Sequence, residues 1–300
     1  MYEEILDFFK NNDVKYRESF GLRDLSSIKI GGMADVAAFP DSENKLIRSI
    51  ERLKACGIPY RVVGRLSNTL APDEGYRGVI LFVGEIIYHV ITPTDLTLSC
   101  GSRLSSLLPL LSREGIASFN GLYGIPGVVS GLVYNNAGAY SLVISDIFLS
   151  ARIYDSEKGK IYEIDKSGMH FAHRCSILRE NRGLILLSAT FERKVDKTEN
   201  ILASVRDYSQ RRRASQPLEF PSLGSVFKKP TVGYAAEYID RLGLKGKRIG
   251  GAEVSCKHAG FIINRADATA KDFVSLADFV ADSVYKNFGI LLEKEVEVLS

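Results

Sequence analysis

Between residues 43 and 57 the apolar positions fall at Leu46, Ile47, Ile50 and Leu53, a spacing that puts them on one helical face and predicts a helix ended by Gly57. Pro59 and the short apolar run 61–64 then predict a turn and a strand. Apolar runs at 78–84 and 95–101 predict two more strands. The leucines of 102–115 return to helical spacing, and Pro109 among them predicts a kink or break unless the helix starts late. Residues 148–164 read as a hairpin turning at Glu157–Gly159, and 183–193 as a further strand. Helix and strand alternate throughout, which predicts an α/β region.

The pattern changes near residue 200. Residues 196–217 are polar and helical, and Pro217 and Pro221 close them. Beyond them the spacing predicts a helix at 234–246, a strand at 260–264, a long helix at 268–289 and a terminal strand at 290–298. The main boundary therefore falls near residue 200, between one α/β region and a separate C-terminal unit. No internal repeat of fixed period interrupts it.

Composition narrows the function. Three hundred residues, 45% hydrophobic and 25% charged, describe a globular chain with material for more than one core. A formal charge of +3 is too balanced for a nucleic-acid or membrane surface. The arginines 211–213 read as a solvated helix end, since no aromatic RNA-binding motif accompanies them. Cys56, Cys100, Cys175 and Cys256 stand singly, as expected of reduced thiols in a cytoplasmic protein. His170 and His173 make an H-x-x-H without a third ligand nearby, so no metal is expected. The N-terminus is acidic and amphipathic, unlike a signal peptide, and no apolar run approaches the length of a membrane span.

Glycine-rich turns remain. The stretches 29–33, 62–68, 121–141 and 248–251 place glycines in turns, where the missing Cβ lets backbone approach a ligand and N–H groups can meet phosphate oxygens. Neither G-x-G-x-x-G nor G-x-x-x-x-G-K-[ST] is present, so the sequence supports neither a Rossmann nor a P-loop site.

Seven stretches carry a resemblance that patterning cannot supply: SIKIGGMADV, VVGRLSN with GYRGVIL, GIPGVVSGLVYNNAGAYS, FAHRCSIL, QPLEFPSLGSVFKKP, GGAEVSCKHAGFIINRADATAKD and LLEKEVEV. Their order and register resemble the UDP-N-acetylenolpyruvoylglucosamine reductases, from about residue 20 to the end. The length is similar to the compact branch that lacks a substrate-covering insertion. The resemblance implies a cytoplasmic flavoenzyme of peptidoglycan precursor synthesis, monomeric and of α+β class, with an FAD-binding fold of the vanillyl-alcohol-oxidase type in two subdomains, 1–85 and 86–198, and a C-terminal UDP-sugar domain, 199–300. It implies hydride transfer from NADPH through FAD to the enolpyruvyl double bond of the UDP-sugar.

By matching motifs, the FAD-binding residues are Gly64, Arg65, Ser67 and Asn68 in one loop, with Ile125, Pro126, Gly127, Gly131, Asn136, Gly138 and Ala139 in the other. The same matching makes Ser225 the proton donor, Arg174 the fork on the substrate carboxylate and Glu295 the carboxyl on its far side. A donor serine needs no histidine, but its alkoxide needs a stabilising cation, and Lys228 is the expected source. Glu293, Glu295 and Glu297 share one face of the predicted terminal strand, so periodicity alone does not separate them. Four positions depart from the pattern: Leu66 puts bulk into the flavin loop, Ser130 replaces a glycine, His173 a tyrosine and Lys229 an asparagine. Two other readings stay open on the residues, a different flavin enzyme of the same fold and a non-catalytic flavin or UDP-sugar binder.

Overall fold

The structure, a computed structural model, describes residues 2–140 and 142–300. Two compact units are woven from interleaved segments. Met1–Arg17, Val36–Gly64 and Gly78–Gln210 form the first, and Glu18–Asp35, Arg65–Arg77 and Arg211–Ser300 the second. The 85/86 and 198/199 divisions read from the sequence are contiguous cuts, whereas two short segments from the first eighty residues group with the C-terminal part.

In the first unit the helix Glu43–Ala55 forms as its spacing predicts. Ser42 caps it by accepting the Lys45 N–H, Leu46, Ile50 and Leu53 are buried, and Gly57 ends it at φ 64°. The strand Tyr60–Val63 then pairs in parallel with Tyr76–Phe82, matching Tyr60 to Val79 and Val63 to Phe82, so the chain leaves the sheet at Gly64. A five-stranded sheet follows in the order Lys160–Asp165, Phe148–Asp155, Leu184–Glu192, Asp95–Ser99 and His89–Ile91, antiparallel throughout. The predicted hairpin is its outer pair. The helix Leu104–Arg113 does not start late: it begins five residues before Pro109 and runs through it, forgoing a single intrahelical bond rather than breaking. Two apolar cores fill this unit, one around Phe119, Phe148 and Phe191 and one around Phe9, Leu46 and Tyr154.

The second unit has one core and a four-stranded sheet in the order Ser222–Ser225, Phe261–Asn264, Ala252–Val254 and Arg248–Ile249. Against it packs the helix Ala270–Phe288, which buries Phe273, Leu276, Ala277, Val280 and Val284. Its N-terminal N–H groups are fully answered. Thr269 and Asp272 form a reciprocal capping box, and the Asp73 carboxylate takes the Ala270 N–H at 2.7 Å and the Lys271 N–H at 3.0 Å. Gly289, at φ 67°, terminates the helix. The terminal strand is shorter than predicted: only Glu297–Val298 is regular, pairing in parallel with Thr69–Leu70. Among the described residues no helix is long and apolar enough to cross a membrane.

The capping box makes a pH-dependent prediction. The Thr269 backbone N–H is the main cause holding the Asp272 carboxyl below its ordinary value, with the Gly251 N–H adding to it. A depressed folded value means that the stabilisation is present above the unfolded carboxylate value of about 4 and is lost as pH falls through the folded one. Thr269→Ala is expected to lower unfolding stability by about 1 kcal/mol in urea titrations. Asp272→Asn is expected to be destabilising at pH 7, its difference from the parent shrinking as the pH drops below about 4. A difference independent of pH would remove the carboxylate from this role.

Candidate functional site

In the first unit the sequence-predicted residues meet where two glycine-rich turns pack together. A Cβ on Gly64 would lie 2.7 Å from Val128 Cγ2, so only glycine lets the strand end approach the segment 124–128. That segment turns through Gly124 at φ 86° and Gly127 at φ 119°, flanking Ile125 and Pro126. It enters the short helix Val129–Tyr134, tied to the preceding strand end by the Val129 N–H on Ser102 O and the Ser130 N–H on Cys100 O, both at 2.9 Å. Ser130 is accommodated there without disturbing the turn. At Gly131 the space a Cβ would enter is open, so a ligand can lie directly against backbone. The open backbone at Gly131 beside the left-handed glycines 124 and 127 is the kind of glycine-turn surface on which a pyrophosphate group can lie.

Arg174 is brought to the same place. Ala172 and Cys175 exchange backbone hydrogen bonds of 3.1 and 3.2 Å, leaving His173 exposed and Arg174 at the corner with φ 56°. Arg174 Nη2 reaches the Gly138 carbonyl at 3.4 Å. Asn136, itself left-handed at φ 41°, donates from Nδ2 to Ala172 O at 3.1 Å and accepts the Ser145 N–H through Oδ1 at 3.0 Å. Gly138 and Ala139 pair with Val143 and Leu142 in a two-residue ladder beside them. The Asn136 side chain is thus committed to the Arg174 turn, a role the motif did not indicate. His170 and His173 lie in turns rather than on a helix, and no group of three metal-ligating side chains occurs among the described residues.

The second unit gathers Ser225, Glu295 and the loop 65–68. Ser225 ends its strand opposite Phe261, after a register irregularity and a Gly224 at φ 81°, and is exposed. Val226 donates to Gly260 O at 2.9 Å and accepts the Glu295 N–H at 2.8 Å, which sets Ser225 and Glu295 on adjoining paired segments. Phe227 bridges Lys294, and the Lys228 N–H bonds Glu293 O at 2.9 Å. On its other side Glu295 accepts through its carbonyl from Asn68 Nδ2 at 3.3 Å, and the Glu297 N–H bonds Asn68 O at 3.1 Å.

Two expectations are corrected by this geometry. Lys228 Nζ lies 3.1 Å from Glu293 Oε2, so its charge is answered by a carboxylate instead of being offered to Ser225. The three terminal glutamates also do not share one continuous strand face. Glu293 is exposed and ion-paired, whereas Glu295 is half-buried between Val226 and Asn68, because a bend at Val296 interrupts the alternation. Lys229 Nζ stands 4.8 Å over the Tyr234 ring. His258, absent from the sequence reading, lies in the turn that leads to Phe261. Burial lowers its pKa, and its Nδ1 accepts the Gly260 N–H at 3.1 Å, which leaves a neutral imidazole with Nε2 as the donor. Its position beside the partner strand of Ser225 is a long-range fact that no local motif announces.

Comparisons with known proteins agree over nearly the whole chain. Residues 216–299 match the family described as UDP-N-acetylenolpyruvoylglucosamine reductase, C-terminal domain, and residues 34–165 match the FAD binding domain family. The UDP-N-acetylenolpyruvoylglucosamine reductases of Caldicellulosiruptor saccharolyticus and Caldicellulosiruptor bescii are 38% and 40% identical to this chain. They cover 96% and 97% of it, and 93% of each relative is matched. The crystal structure of the UDP-N-acetylenolpyruvylglucosamine reductase from Thermus caldophilus superposes with a TM-score of 0.80 at 29% identity, covering 96% of this chain and 99% of that one. An alkyldihydroxyacetonephosphate synthase, 17% identical with a TM-score of 0.51, shares the fold alone over 65% of this chain and 41% of its own.

Leu66 yields the prediction of this section. Its backbone is left-handed at φ 45°, a glycine-favouring conformation, yet its side chain is only 4% exposed. The bulk expected to stand in the flavin loop is instead packed away. Leu66→Gly relieves strain of about 1–3 kcal/mol but removes a buried side chain whose truncation costs about 2–5 kcal/mol. The variant is therefore expected to unfold at lower urea concentration than the parent, with FAD affinity not improved. Tighter FAD binding in a titration would show that the leucine does crowd the loop.

Proposed function

Because the chain belongs to the family of UDP-N-acetylenolpyruvoylglucosamine reductases, we propose that Arg174, Ser225 and Glu295 divide the work of reducing an enolpyruvyl ether. The enzyme is an FAD-dependent oxidoreductase of peptidoglycan precursor synthesis that converts UDP-N-acetylglucosamine-enolpyruvate to UDP-N-acetylmuramate with NADPH as co-substrate. FAD, when bound, supplies the hydride that NADPH delivers to the site. Gly64, Arg65, Ser67, Asn68, Ile125, Pro126, Gly127, Gly131, Asn136, Gly138 and Ala139 would hold it, Gly131 by leaving its backbone open and Gly64 by letting the two turns pack closely.

The reaction adds a hydride to the terminal carbon and a proton to the carbon next to it. Charge develops on that second carbon and spreads into its carboxylate. Arg174 stabilises this charge through its forked guanidinium, with Glu295 bonding the far carboxyl oxygen. Ser225 gives its hydroxyl proton to the carbon and recovers one from solvent, to which it is exposed. The observation that carries the reading is the 2.8 Å bond from the Glu295 N–H to Val226 O, which holds the proton donor and the carboxyl on neighbouring backbone. Residues 1–85 and 86–198 then serve FAD, and 199–300 the UDP-sugar, in a cytoplasmic monomer. Oxidation of NADPH by the purified protein, dependent on UDP-N-acetylglucosamine-enolpyruvate, tests the activity directly.

Two variants test the roles. Ser225→Ala is expected to leave flavin reduction by NADPH near parental while slowing the substrate step by on the order of a hundredfold or more. Stopped-flow traces with both steps slowed alike would remove Ser225 from proton transfer. Glu295→Gln is expected to lower turnover with little change in substrate affinity. Glu293→Gln should lose only a solvent-exposed ion pair worth about 0–1 kcal/mol of stability. Near-parental turnover of Glu295→Gln beside a slow Glu293→Gln would move the assignment by two residues.

A further inference from the structure

The turn that presents Arg174 is held by groups outside the assigned site, and one of them is a second arginine. Arg179, on the short helix Ile177–Glu180, uses a single nitrogen, Nη1, to donate to Arg174 O at 3.0 Å and to Asn135 Oδ1 at 3.2 Å. Two further bonds anchor the same turn. Asn136 Nδ2 bonds Ala172 O, and Ser176 Oγ donates to Tyr134 O at 2.9 Å. The consecutive residues Tyr134, Asn135 and Asn136 therefore grip the Arg174 turn at three places, directly after the helix Val129–Tyr134 that carries Gly131.

We propose that Arg179 is a positioning residue for Arg174, locking its carbonyl and so aiming its guanidinium; the inference rests on the carboxylate-binding role given to Arg174 above. An L-residue at φ 56° sits in sparsely populated backbone and persists only where its surroundings over-determine it. Asn136 fixes one end of the turn, and Arg179 bonds the corner carbonyl itself. Its bonds are charge-assisted and therefore strong for their length. With that carbonyl released, the corner relaxes toward ordinary negative φ, and the Arg174 side chain turns away from Gly138, where it now reaches. Arg179 acts through Arg174 and touches no reacting atom.

The test is a double-mutant cycle on the FAD-loaded enzyme, using Arg179→Met to keep the aliphatic stem while removing the donors, and Arg174→Ala. Arg179→Met is expected to slow reoxidation of the reduced flavin by substrate by about ten- to a hundredfold, the scale of a small misplacement of a catalytic group. Flavin reduction by NADPH, the flavin absorbance spectrum and FAD affinity are expected to stay within about twofold of the parent, as only a positioning role predicts. In the Arg174→Ala background Arg179→Met should add nothing. Arg179→Lys, whose one nitrogen can serve both acceptors, should recover part of the rate. Fully additive losses, equal slowing of both half-reactions, or no loss in Arg179→Met while Arg174→Ala is slow would each overturn the role of Arg179 alone. An Arg174→Ala variant with a parental substrate step would overturn the reading of Arg174 and the inference together.

Discussion

The second unit depends on the backbone pairing of its last residues. From Glu293 to Leu299 the chain bonds the segment 226–228 on one side and 68–70 on the other, through Lys228 N–H to Glu293 O, Glu295 N–H to Val226 O, Glu297 N–H to Asn68 O and Leu299 N–H to Leu70 O. These bonds are individually modest, each worth about 0.5–1.5 kcal/mol net. Their importance is geometric. They make one short segment the shared neighbour of Ser225 and the loop 65–68, with Glu295 half-buried where the two meet. Buried Val296 and Leu299 fix which way that segment faces.

A second constraint is backbone strain. Leu66, Asn136 and Arg174 all have positive φ, and all three lie in the turns that the proposed chemistry uses. Strain of this kind survives where packing and hydrogen bonds leave no alternative. Leu66 is held by burial, Asn136 by bonds from both ends of its amide, and Arg174 by its closed turn. In the role proposed for Arg174 such rigidity would serve electrostatics, since a cation that meets developing charge is most effective when it needs no reorganisation.

Local periodicity made the regular elements legible. The apolar face of Glu43–Ala55, the hairpin at 148–165 and the capped helix Ala270–Phe288 were all written in neighbouring residues. The terminal strand was overread, because its alternating pattern contains a bend set by pairing with 226 and 68 rather than by its own sequence. Pro109 shows the opposite case, a local breaker carried inside a helix whose face of Leu104, Leu107 and Leu111 is packed in the core. At the site, motif matching named residues but not their environments. The Lys228–Glu293 pair, the commitment of the Asn136 amide and the place of His258 all arise from contacts that sequence spacing does not encode.

The interleaving of the two units has a consequence for biosynthesis. Segments 18–35 and 65–77 emerge from the ribosome long before their partners at 211–300, and Thr69–Leu70 finds its strand partner only when residues 297 and 298 have been made. Pairings across such sequence separations form late and slowly. Asp73 likewise waits for residues 270 and 271 before it has a helix end to cap. A nascent chain lacking its last strand therefore leaves Thr69–Leu70 unpaired, however complete its N-terminal part, so the second unit is closed at the end of translation rather than midway through it.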